Sequence, residues 1–93
     1  MAAKRMEAPA AFAPPAWELA DASAMQAVAR GEADAGQQQR VLNWIINSAC
    51  GTYDLEYRPD QREHAFVSGR RFVGLEIVKM LKINTAALAN AKK

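Results

Sequence analysis

The stretch AFVSGRRFVGLEIVKMLKI, residues 65–83, decides the fold. Phe66, Gly69, Val73, Ile77 and Met80 recur at helical spacing, and Ala65, Phe72 and Leu81 widen the stripe. The pattern predicts a long third helix from about Asp60 to Lys82, spanning roughly 33 Å at ~1.5 Å per residue. Pro59 fits its first turn, where the missing donor does no harm.

Working back toward the N-terminus, Leu42, Ile45, Ile46 and Ala49 form a second stripe, with Gln38 and Val41 beside it and Trp44 on its flank. A second helix is predicted from near Asp34 to Gly51. Thr52 to Pro59 is then a polar connection carrying Tyr53 and Tyr57. A short, alanine-rich first helix is predicted from near Asp21 to Arg30, with Asp21 as its N-cap and Gly31 as a left-handed C-cap. The second and third helices should pack antiparallel as a hairpin, with the first laid across them. The expected fold class is therefore all-α: a helical domain over residues 21–84, of about three helices.

Outside that domain lie two tails. Residues 1–20 are rich in Ala and Pro, and Pro9, Pro14 and Pro15 forbid a continuous helix, so an extended arm is expected. Phe12 and Trp17 are large apolar side chains on this arm. They either fold back onto the chain's own helices or anchor the arm on another subunit. Residues 85–93 form a short alanine-rich tail that either prolongs a helix or frays.

The chain has 93 residues, enough for one domain, and a chain this short has a poor ratio of core to surface. Its formal net charge is +2, which does not mark a dedicated nucleic-acid binder. The charge is uneven: residues 1–46 carry four Lys/Arg against five Asp/Glu, and residues 47–93 carry eight against five. Any anion-facing surface should lie in the second half. A single cysteine, Cys50, excludes an internal disulfide. No apolar run reaches the length of a membrane span, and Lys4 and Arg5 are followed by no apolar segment of a secretory signal.

Nothing in the residue types points to catalysis. His64 is the only histidine and reads as a surface residue on the first turns of the third helix. Cys50 reads as a small packed apolar residue. One Cys and one His cannot make a four-ligand metal site, and no phosphate loop or dinucleotide-binding pattern is present. Asp54, Glu56, Asp60 and Glu63, interleaved with Arg58 and Arg62, read as a solvated loop with local ion pairs. No cofactor, metal or small-molecule substrate is expected.

The glycines of the third helix are more informative. Each costs about 1 kcal/mol relative to alanine in a helix. Ala65 and Gly69 leave a shallow notch that another helix can approach. Gly74 lies about 140° around the axis from Gly69, so the two cannot serve one contact. The helix is then packed on two sides, once within the domain and once against a partner, or it is simply kinked near Ser68–Gly69. Phe12, Trp17, Ala65, Gly69, Phe72, Val73 and Gly74 are the candidate partner-binding residues. Arg62, Arg70, Arg71, Lys79 and Lys82 are the candidate contacts to DNA phosphates or to an acidic patch, unless they are solvated and paired with Glu63 and Glu76. A helix-turn-helix reading of the first two helices fails on the apolar middle of the second, Val41 to Ile46, where Arg40 is the only nearby cation.

The segments QQQRVLNWII at 37–46, GTYD at 51–54 and AFVSGRRFVGLEIVKMLKI at 65–83, centred on GRRFVGL at 69–75, resemble a family of small proteins of tailed bacteriophages, mainly short-tailed podoviruses. The resemblance covers Gly36 to Asn84, about half of the chain. It implies a phage gene product encoded among head-assembly and DNA-packaging genes, and it transfers no catalytic residue. The resulting expectation is a non-enzymatic, multi-copy or homo-oligomeric structural or assembly protein. It would attach to portal or head proteins, in the host cytoplasm during assembly and then in the virion. Two other expectations are a DNA-packaging accessory of the small-terminase type, which would bind viral DNA, and a regulator of a host enzyme.

Overall fold

A computed structural model describes residues 11–91, and among them every regular element is helical. The elements are α1 (Leu19–Ala29), α2 (Ala35–Asn43), a π-helical continuation of α2 (Trp44–Ala49), α3 (Gln61–Lys82) and α4 (Thr85–Ala91). The all-α class stands, with four helices rather than three.

Local chemistry fixes most boundaries. The first helix starts two residues before Asp21: Glu18 is the N-cap, and Asp21 sits in the first turn, where its carboxylate accepts from the Glu18 N–H at 2.8 Å. That backbone bond and the Arg40 guanidinium hold the Asp21 carboxyl below the usual carboxylate range. α1 ends in a Schellman motif: Gly31 takes φ +73°, its N–H reaches Val28 O, and Glu32 N–H reaches Ala27 O.

Asp34 caps α2 reciprocally. Its carboxylate accepts from Gln37 N–H at 2.8 Å, and the Gln37 side chain accepts from Asp34 N–H at 3.0 Å. Asp34→Ala removes half of this box and should lower stability by about 1 kcal/mol, read as a drop in the thermal midpoint. An unchanged midpoint would mean that α2 is held by packing alone.

The second helix widens after Asn43. Cys50 N–H bonds to Ile45 O, an i→i+5 step, and Gly51 at φ +58° ends the run. The wider turn alters which residues face inward. Val41, Ile46 and Cys50 are buried, at spacings of five and four, whereas Leu42 of the expected stripe is exposed.

Pro59 falls just before α3 rather than in its first turn, and Asp60 is the N-cap, accepting from the Arg62 and Glu63 N–H groups. Ile83, extended at ψ 149°, breaks the chain after α3. The expected tail then forms a helix of its own, started by Asn84, whose side chain accepts from Ala87 N–H at 3.0 Å.

The packing is thinner than a hairpin would give. α1 packs along α2, and their buried residues are Ala24, Ala27 and Val41. α3 packs chiefly against the π-helical end of the second helix, so a meeting at that end replaces the expected side-by-side hairpin. The reason lies in residues 35–43: Val41 is their only buried side chain, and α1 is already there. Among the described residues the buried apolar set is Ala11, Ala24, Ala27, Val41, Ile46, Cys50 and Val67, none larger than isoleucine. The C-terminal end of α3 and all of α4 stand clear, exposed from Lys79 to Ala91. The radius of gyration is 16.4 Å, against roughly 12 Å for a globular chain of this length.

Candidate docking face on the long helix

α3 is fastened along one side. At Gly74 its backbone lies on the connection after the second helix. A β-carbon there would fall 1.8 Å from Thr52 Oγ1 and 2.9 Å from Cys50 Cβ. Thr52 is fully buried, and its hydroxyl is committed to Ile46 O at 2.7 Å. Gly74 is therefore the internal joint of the molecule. Its assignment to an external partner is corrected: no room remains beside it.

Polar contacts extend the attachment. Arg71 donates from Nε to Thr52 O at 2.9 Å and from Nη1 to Glu56 at 3.0 Å. Ser68 donates its hydroxyl to the other oxygen of Glu56. These bonds, Ser68 foremost, together with the nearby Arg71 and His64, hold the Glu56 carboxyl below its usual range. His64 Nδ1 accepts from Arg58 N–H at 3.3 Å, which leaves Nε2 to carry a proton toward Glu56, 4.0 Å away. His64 thus fastens the loop to α3. Cys50 lies buried under Gly74, and burial pushes its thiol up, away from the reactive thiolate.

The opposite side of α3 is apolar and open. Phe66 is 45% exposed, Phe72 61%, Val73 50% and Met80 65%. Ala65 and Gly69 lie among them, and nothing stands within 4 Å of the position a Gly69 β-carbon would take. The inward face consists of Val67 and Gly74, with Ser68, Arg71 and Val78 half-buried. Beside the buried Val67, this face holds the loop through hydrogen bonds from Ser68 and Arg71. α3 therefore has two faces, one used at Gly74 and one around Gly69 that is unpartnered among the described residues apart from Phe12 at its edge.

The arm reaches the edge of the open face. The Phe12 ring packs on Phe66 with centroids 5.1 Å apart, and the Arg70 guanidinium lies over the Phe66 ring at 5.7 Å. Trp44 Nε1 donates to Ala16 O at 2.9 Å, tying residue 16 to the second helix. Phe12 therefore folds back onto the chain's own helix, although it stays 59% exposed. Trp17 is also exposed and borders a shallow groove with Asp21, Met25 and Trp44. The remainder of the arm, residues 1–10, lies outside the described residues.

The candidate cations do not form one surface. At ~100° per residue, measured from Gly69, Arg62 lies near 20°, Arg70 near 100°, Arg71 near 200°, Lys82 near 220° and Lys79 near 280°. Arg71 is engaged by Glu56 and Thr52, and Lys79 pairs with Glu76 at 3.1 Å. No group of three or more His, Cys, Asp or Glu suited to a metal ion occurs among the described residues, and no helix there is long and apolar enough to cross a membrane. Compared with protein-family models, curated proteins and solved structures, the chain matches none.

Proposed function

We propose that the chain is a non-enzymatic structural or assembly component of a bacteriophage particle. It is present in several copies, attached near the portal or inside the head shell, and docks through the outer face of α3. The observation that carries this reading is the open apolar stripe Phe66, Phe72, Val73 and Met80 around an unfilled Gly69. A contiguous exposed apolar face of this kind marks a surface that is covered in use. The thin interior agrees with it, since small chains with little core gain stability within assemblies. The phage setting rests on the resemblance centred on GRRFVGL at 69–75. The scattering of cations around α3 favours protein docking over binding of viral DNA.

The test is mass spectrometry of purified particles. The chain should be found in mature virions in several copies. Its absence from them would overturn the assignment.

A further inference from the structure

The outer face of α3 carries a charge pattern that selects its occupant. Seven residues before Gly69 stands Arg62, and seven residues after it stands Glu76. Seven residues are about two helical turns, so at ~100° per residue both lie within roughly 20° of the Gly69 line, each about 10.5 Å along the axis. Arg62 is exposed, and Glu76 pairs with Lys79 at the surface. Between them the order is Ala65, Phe66, Gly69, Phe72, Val73: apolar at three and four residues on either side, with no side chain at the centre.

We infer that the α3 face takes a second copy of this chain, antiparallel, with the two helices crossing at Gly69. This rests on the reading of that face as a docking surface and names its occupant. About a two-fold axis at Gly69, residue 69−n lies level with residue 69+n of the other copy. Arg62 then faces Glu76 of the second copy, twice over. Phe66 lies beside Val73 of the second copy, and Ala65 beside its Phe72, on either side of the Gly69 line. The missing side chains at Gly69 let the backbones approach closely. Away from the line, Lys79 lies toward Gln61 of the second copy, and Arg70, held over Phe66, stays at the outer edge of the seam. A parallel pair would place Arg62 on Arg62 and Glu76 on Glu76, which is repulsive. The fastened side, Thr52, Glu56 and Gly74, points away from the partner, so each body lies outside the pair.

The test uses the full chain carrying Cys50→Ala. Gly69→Cys should give a disulfide-linked dimer under mild oxidation, because the crossing brings the two positions within disulfide reach. Arg62→Cys alone should give none, since antiparallel copies hold those positions about 21 Å apart. Arg62→Cys mixed with Glu76→Cys should link. A self-link at Arg62→Cys would mean a parallel pair and overturn the proposal, as would a failure of Gly69→Cys to link. A second readout leaves the glycine untouched. By sedimentation, the unmodified chain should associate to about twice 10.2 kDa. Arg62→Glu should weaken association about tenfold, and Arg62→Glu with Glu76→Arg should restore it. A chain that stays monomeric at about 0.2 mM, or a double reversal that restores nothing, would overturn the pairing. These outcomes are independent of particle composition. A chain absent from virions can still pair, and a virion component can still be a monomer in solution.

Discussion

Gly74→Ala lowers the stability of the chain by about 2–3 kcal/mol, while Gly69→Ala, one and a half turns away in the same helix, raises it by up to about 1 kcal/mol. The intrinsic helix term is the same at both sites and favours alanine. The surroundings decide the sign. At Gly69 the new methyl group meets nothing within 4 Å. At Gly74 it lands on Thr52 Oγ1 and crowds Cys50 Cβ. Thr52 cannot turn aside without giving up its bond to Ile46 O, and it is fully buried. For a small chain with a shallow interior, such a loss is a large share of the total stability. Urea unfolding in dilute solution, where pairing is absent, measures both variants. Thr52→Ala should relieve part of the Gly74→Ala loss, so the two changes should not add. Equal effects at the two glycines would show that α3 does not rest on Thr52.

The second large effect lies at Arg71. Replacing it by methionine keeps the stem and removes the guanidinium, which leaves Thr52 O without this donor and Glu56 with Ser68 but no arginine. The charge-assisted bond from Arg71 to Thr52 O contributes about 1.5–3 kcal/mol, and the one-third exposure of the arginine places its loss toward the lower end, read as a drop in the urea midpoint. The same network predicts an acid response. The folded-state Glu56 carboxyl titrates below its unfolded range, because Ser68 and Arg71 favour the anion. Its contribution is complete above the ordinary glutamate value of about 4.3 and is lost as pH falls through the depressed folded value. Glu56→Gln should therefore flatten the fall in thermal midpoint between neutral and acid pH. A slope unchanged by Glu56→Gln would locate the acid sensitivity elsewhere.

Much of the fold is legible in residue types because helix ends are set by local bonds. Gly31, Asp34, Gly51 and Asp60 each stop or start a helix as their chemistry requires. The small shift at the first helix has a local cause: Asp21 works from inside the first turn, and Glu18 takes the cap. The fourth helix does not stand out in the sequence, where residues 85–93 read as a tail; its cap is the Asn84 side chain, accepting from Ala87 N–H.

The packing was less legible. Periodicity shows that α3 has an apolar stripe but not which way it points. An inward side made of Arg71, Ser68 and Gly74 does not read as a packed face, because its partners are a carbonyl, a carboxylate and a buried hydroxyl of a loop. The i→i+5 turn at Trp44–Ala49 leaves no compositional trace, and it rotates Ile46 and Cys50 onto the face of Val41. Of the proposed site residues, Phe72, Val73, Ala65 and Gly69 lie together on the open face. Phe12 lies at its edge, and Gly74 and Arg71 belong to the inside.

The shallow interior also governs the response to temperature. Unfolding raises heat capacity in proportion to the apolar area newly wetted. A body lined by alanine, valine and one isoleucine wets little, so its increment falls below the ~12–15 cal/mol/K per residue of ordinary domains, and its free energy varies gently from cold to warm. The large apolar groups are already outside. In the proposed pair, covering those groups carries a heat-capacity decrease of its own.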